Sequence, residues 1–262
     1  MTSNSNKTTP EHATADIPGE RLQNILSKRG IASRRHAAEL IASGLVTVNN
    51  SVVLEPYVRV DAARDEIRVR GQLVPREIER QRTIVLYKPR GLICSADNER
   101  GETVCDFIKI HGIHERLVPV GRLDKESEGL LLMSNDGELT NIMTHPRYGH
   151  TKTYIARVAG HMESEKIETL RSRLVIDDYT INPVEVEVLS VGRDHTHKIA
   201  FTLTEGRNRQ IRKMCSLAHF VVLSLTRVRI GPIKICNMQP GEWRELSAAE
   251  IEQLKRGTSA HA

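Results

Sequence analysis

Between residues 18 and 74 the apolar positions come in short, punctuated groups. Leu22, Ile25 and Leu26 fall at i, i+3 and i+4, one face of a short helix that Gly30 ends. Ser33 can cap a second helix, whose inner face is Ala37, Leu40 and Ile41 and which closes at Gly44. Residues 45–48 and 52–54 flank the turn-forming pair Asn49-Asn50 and read as a hairpin, and a strand over 66–69 runs into a turn at Gly71. Residues 76–82 are polar and charged without apolar periodicity, the composition of a linker. Beyond them come an apolar run at 84–87 and strand-like segments at 130–133, 154–158, 184–191 and 199–203, with helices placed irregularly among them. This pattern predicts an α+β protein with a small N-terminal domain over 18–75 and a larger domain over 83–254 on a mainly antiparallel sheet. Residues 1–17 have the composition of a disordered tail and residues 255–262 that of a frayed end.

Composition narrows the class. The chain is 39% hydrophobic and 27% charged, as in ordinary soluble globular proteins. A net charge of +5 is compatible with nucleic acid but too small to establish it, so the placement of the cations matters more. Cys94, Cys105, Cys215 and Cys236 form no CxxC pair, which argues for reduced thiols and against structural zinc. No apolar run approaches the ~20 residues of a membrane helix, and the N-terminus lacks the apolar core of a signal peptide. The expectation is a cytoplasmic protein with no membrane partner. A phosphate-binding glycine loop and a metal constellation are both missing, so no cofactor and no metal are expected.

Four segments carry candidate chemistry. In 121–132, Gly-Arg-Leu-Asp-Lys-Glu-Ser-Glu-Gly-Leu-Leu-Leu, a tight turn delivers the carboxylate of Asp124 just ahead of a glycine and a buried strand. A lone loop aspartate is usually a cap or an ion-pair partner, so its surroundings must decide. In 204–214 a glycine is followed by helical spacing that puts Ile211, Met214, Cys215 and Ala218 on one face and Arg209, Arg212 and Lys213 on nearly the opposite one. Such cations hold a neighbouring carboxylate ionised and grip phosphates. In 152–158 period-two alternation puts Lys152, Tyr154, Ala156 and Val158 on one strand face. Tyr87-Lys88-Pro89-Arg90-Gly91 ends a strand with two cations. In the first domain, Arg34 and Arg35 follow the helix cap directly, where the helix dipole disfavours cations by up to ~1 kcal/mol. That placement makes sense if an anion lies across the helix start.

Together these segments resemble the bacterial ribosomal pseudouridine synthases that carry an N-terminal S4 domain. The resemblance rests on Lys88-Pro89-Arg90-Gly91, Gly-Arg-Leu-Asp with its Gly-Leu-Leu strand at 121–132, Lys152-Thr153-Tyr154, and Glu-Gly-Arg-x-x-Gln-x-Arg at 205–212. Arg229-Ile230-Gly231-Pro232 and the 241–246 ending also fit, and residues 21–54, including Ser33-Arg34-Arg35, look like an S4 RNA-binding module. The likeness covers nearly all of 20–250 in order. Ser127 stands where the family often has threonine.

The resemblance implies an enzyme that isomerises specific uridines of ribosomal RNA to pseudouridine after flipping the base out of its stack. Asp124 is then the nucleophile, Tyr154 stacks on the target base and helps proton transfer, and Arg212 pairs with Asp124. Arg122 contacts the RNA backbone or holds the flipped nucleotide, and Arg34, Arg35, Lys88, Arg207, Arg209 and Lys213 are further RNA contacts. The partner is ribosomal RNA, free or in a pre-ribosomal particle, and the protein is taken as a monomer. The 204–214 and 241–246 segments are closer to the large-subunit (23S) enzymes than to the small-subunit (16S) ones. Two other readings compete. One is a non-catalytic S4-type assembly factor. The other is a hydrolase pairing Asp124 with Glu126 or Glu128, which would need two carboxylates ~5–10 Å apart across a substrate.

Overall fold

Turn chemistry decides the short elements of the N-terminal part. In the computed structural model, which describes residues 19–95 and 101–257, Ser33 caps the helix Arg34–Ala42 by accepting from the amide of His36 at 3.0 Å. Ala37, Leu40 and Ile41 face inward, against Leu22, Ile25 and Leu26 of the helix Leu22–Lys28. Asn49 and Asn50 both take positive φ (49° and 64°), which lets Val46–Val48 fold straight back onto Ser51–Val52. Arg70 and Gly71 make the same kind of turn between Ile67–Val69 and Gln72–Leu73. The expected 1–17 tail and the segment 258–262 lie outside the described residues.

The chain divides after Arg80 into two compact units. Arg82, read from sequence as linker, is fixed within the second unit: its amide donates to Asn135, and its guanidinium pairs with Glu115 and Glu245 at 2.7 Å each. At the other end, the helix Ala248–Arg256 runs two residues past the expected domain limit at Leu254. Lys255 holds that last turn by pairing with Asp136 and Glu138.

The second unit is built on a nine-stranded sheet among the described residues. Its order is Glu185–Val191, Thr196–Leu203, Lys152–Ala159, Val221–Ile230, Glu128–Ser134, Thr83–Lys88 and Trp243–Glu245, with Val118–Val120 and Ile233–Lys234 as short side branches. Glu128–Ser134 and Thr83–Lys88 are buried almost throughout because helices cover both faces. Ile84, Leu86, Leu131 and Met133 point to the helix Val104–Ile110, while Val85, Leu130 and Leu132 point to Gly137–Thr144 and Ala248–Arg256. At the other end, Glu185–Val191 and Thr196–Leu203 are covered on one face only and alternate accordingly.

One junction departs from the antiparallel pattern. Val221–Ile230, a ten-residue strand that the sequence pattern did not single out, pairs antiparallel with Lys152–Ala159 but parallel with Glu128–Ser134. Gly129, Arg227 and Tyr154 consequently lie in one row across three adjacent strands. The two strands approach so closely that a Cβ on Gly129 would lie 2.3 Å from the carbonyl oxygen of Arg227, and Gly129 holds φ +105°. Only glycine meets both conditions. Gly129→Ala is therefore expected to cost about 2 kcal/mol or more, lowering Tm by roughly 5 °C or more for a unit of this size. An unchanged melting curve would show that the strands are not so tightly paired.

Candidate active site

The loop carrying Asp124 is fastened through its main chain. Arg227 donates from Nε to the carbonyl of Leu130 (2.6 Å) and from Nη1 to that of Arg122 (3.3 Å), so it grips the loop on both sides. Lys88 donates from Nζ to the carbonyl of Ser127 at 2.8 Å, the amide of Gly91 to the carbonyl of Lys125 at 2.8 Å, and the amide of Leu123 to the Cys94 thiol at 3.3 Å. Arg212 donates from Nη2 to the carbonyl of Glu126 (3.3 Å) and to the Ser127 hydroxyl (3.4 Å). Within the loop, the amide of Ser127 closes a turn on the carbonyl of Asp124 at 3.0 Å. Among the described residues none donates a hydrogen bond to the Asp124 carboxylate, which is half-buried and lines a cleft of about 400 Å³.

Tyr154 lines the same cleft from the neighbouring strand, and its hydroxyl meets Arg227 Nη1 at 3.3 Å. Arg122, Arg207 and Arg209 also line it, as does Lys152, two residues before Tyr154 on the same face. The segment 205–210 is a loop closed by its own ends: Glu205 accepts from Gln210 Nε2 and from the amide of Asn182, while Gln210 accepts from the amide of Arg207. This is why a glutamate and a glutamine bracket the arginines there. The helix that follows, Gln210–Leu217, buries Ile211, Met214 and Cys215 as its spacing predicted.

Several expected roles need correction. Lys88 is fully buried, with its ammonium spent on two main-chain carbonyls, so it supports the Asp124 loop and is not exposed to RNA. Burial pulls its pKa below the ordinary lysine value. Arg212 does not line the cleft and has no hydrogen bond to Asp124. Its charged partner is Glu126, at 3.9 Å, and it holds the turn just after Asp124, near enough to attract that carboxylate through space. Arg209 is paired with Glu126 at 3.0 Å and Lys213 with Asp177, so this helix start is not an unoccupied row of cations. Arg34 and Arg35 are exposed in the first unit. Arg227 was missed altogether. Its one visible sign was an arginine amid the β-branched and apolar residues of 221–230, a strand it shares with Ser224, Thr226 and Arg229.

The carboxylates required by a hydrolase are engaged elsewhere. Glu126 takes Arg209 and Arg212, and Glu128 accepts from Thr226 at 2.9 Å. Asp124 is thus the carboxylate presented beside a phenol and several cations.

Comparison with known proteins fits this arrangement. Residues 82–217 match the family described as RNA pseudouridylate synthase, and residues 20–67 match the S4 domain. The chain belongs to the RNA pseudouridine synthase family. The synthase is 39% identical over 238 residues to ribosomal large subunit pseudouridine synthase B of Bacillus subtilis, covering 90% of this chain and 96% of that protein. It is 36% identical to the protein of the same name in Pseudomonas aeruginosa, covering 94% of this chain and 64% of that one. Among solved structures, a pseudouridylate synthase superposes with a TM-score of 0.62 at 28% identity, covering 90% of this chain and 99% of that chain.

Lys152 gives the synthase a titration to follow. Burial, reinforced by the charge of Arg227, lowers its pKa from 10.5 to about 8. Below pH 8 it is charged both folded and unfolded, and the folded state bears the full cost of burying that charge. Between about 8 and 10.5 the unfolded chain binds more protons, so this cost is relieved as pH rises. Lys152→Met lacks the cost at every pH. Its stability advantage over wild type in chemical denaturation should shrink from pH 8 to 10.5 and stay constant below 8. A pH-independent difference would contradict the burial of that charge.

Proposed function

We propose that this synthase isomerises a uridine of ribosomal RNA, in the large subunit, with Asp124 as nucleophile. The observation that carries the reading is the unbonded Asp124 carboxylate lining one cleft with Tyr154 and a group of cations. A cleft of about 400 Å³ has the size of a small-ligand site. It admits one nucleotide and no duplex, so the target base must leave its stack, at a cost of a few kcal/mol. Cations lining the mouth offset part of that cost through phosphate contacts. The large-subunit assignment is supported by the names of the Bacillus subtilis and Pseudomonas aeruginosa relatives.

In the reaction, the C1′–N1 bond breaks, the uracil turns while bound, and a C1′–C5 bond forms. The C5 hydrogen leaves as a proton and N1 gains one, so atoms and electrons balance without a redox step. Asp124 supplies the attacking carboxylate, and the bond it forms is broken again by the time the C1′–C5 bond is complete, so the enzyme is regenerated. Tyr154 stacks on the freed ring, and its hydroxyl, oriented by Arg227, is positioned for proton transfer. The main-chain tethers fix the loop in advance, so little reorganisation remains when charge develops. In the first unit, the exposed Arg34 and Arg35 meet phosphates of structured RNA, and the synthase works as a monomer on RNA or a pre-ribosomal particle.

Asp124→Asn changes charge with little change in shape. It should bind ribosomal RNA about as well as wild type but release tritium from [5-3H]uridine-labelled RNA at well under a tenth of the wild-type rate. Residual turnover within about tenfold would overturn the nucleophile assignment. Mapping pseudouridines in cells lacking the protein tests the target: loss should fall in large-subunit RNA, and loss confined to 16S RNA would refute that choice.

A further inference from the structure

Tyr179, outside every motif singled out in the sequence, supports one wall of the cleft. It lies on a two-stranded hairpin, Val175–Ile176 against Tyr179–Thr180, whose turn residues Asp177 and Asp178 both have positive φ (50° and 59°). Ile176 and Ile181 root the hairpin in the core, and Asp177 ties its tip to Lys213. The hairpin is therefore held at both ends. The guanidinium of Arg207 lies over the Tyr179 ring, its central carbon 3.0 Å from the ring centroid. Arg207 lines the cleft, its side chain is 43% exposed, and its nearest carboxylate, on Glu205, is 3.9 Å away. Most of the other cations near the cleft are engaged: Arg209 by Glu126, Lys213 by Asp177, Arg227 by carbonyls.

We propose that the Arg207–Tyr179 stack is a base-stacking subsite for an unpaired nucleotide flanking the target uridine. The proposal rests on the reading of the cleft as the uridine site. A guanidinium centred 3.0 Å over a fixed ring covers one side of that ring and offers the cleft a planar cation backed by an aromatic surface. Nucleobases stack on guanidinium planes irrespective of sequence. A phosphate, by contrast, needs charge and N–H edges but no ring behind them. Once one base leaves the helix its neighbour loses a stacking partner, and the subsite supplies a replacement. The wall thus offsets part of the unstacking cost of flipping.

The two chemistries separate in the choice of variants. Steady-state kinetics on a large-subunit RNA fragment that wild type converts should show KM raised about tenfold by Tyr179→Leu, the scale of one base–aromatic stack. kcat should be unchanged, because the subsite lies outside the bond-making step, and Tyr179→Phe should behave as wild type. Arg207→Lys keeps the charge and loses the plane, so it should match Tyr179→Leu. Removing the base on one flank of the target uridine should weaken wild type about tenfold and leave Tyr179→Leu unaffected. Wild-type KM in Arg207→Lys would mean a phosphate contact only, and indifference of wild type to abasic sites on both flanks would mean no stacking; either overturns the proposal. If wild type converts no ribosomal RNA fragment, the reading of the cleft fails and the subsite falls with it. Conversion without dependence on either flank sinks the subsite alone.

Discussion

The close parallel pairing of Val221–Ile230 with Glu128–Ser134, with Gly129 against the backbone of Arg227, is the constraint from which the site follows. It places a guanidinium at the junction of three strands, within reach of two carbonyls flanking the Asp124 loop and of the Tyr154 hydroxyl on the next strand. A side chain on Gly129 would separate these strands and with them the two halves of the cleft. The glycine, the arginine and the tyrosine come from distant parts of the chain, and sheet register alone brings them into one row.

That junction is electrostatically expensive. Arg227 and Lys88 are both buried, and among the described residues neither forms an ion pair with a carboxylate. Their charges are met by main-chain carbonyls and a phenol, and among the described residues Arg227 Nη2 has no hydrogen-bond partner. Uncompensated buried charge costs several kcal/mol. A fold that keeps two such cations around one loop gains rigidity there and a positive environment for an unpaired carboxylate. Asp124 does not have to be spent on neutralising either of them. The structural cations hold the loop, and Asp124 lines the cleft without being paired to either of them.

Much of this was legible along the chain. Alternation and turn residues located the N-terminal helices, both of its hairpin turns and five strands of the large sheet, because each depends on local chemistry: Ser33 as a cap, Asn49-Asn50 at positive φ, apolar runs bounded by glycine. The Asp124, Tyr154 and 205–212 segments were legible as motifs. What sequence could not supply was partnership. Lys88 beside a Pro-Arg-Gly turn looks like a surface cation, and only the fold shows it pointing inward to Ser127. Arg212 feels Asp124 through space, yet the carboxylate it pairs with is that of Glu126. Arg227 belongs to a strand whose register against Lys152–Ala159 shifts twice, which breaks simple alternation. Tyr179 has no sequence signal, since its role is set by Arg207, some thirty residues away.

Arg227→Lys tests the coupling most directly, since it keeps the charge but shortens the reach to both Leu130 and Tyr154. Single-turnover isomerisation should fall about 100-fold, the scale expected for roughly 1 Å of misplacement. RNA affinity and the circular-dichroism spectrum should stay close to wild type. A rate within about threefold of wild type would show that the guanidinium does not align carboxylate and phenol, and the account of the site would be wrong.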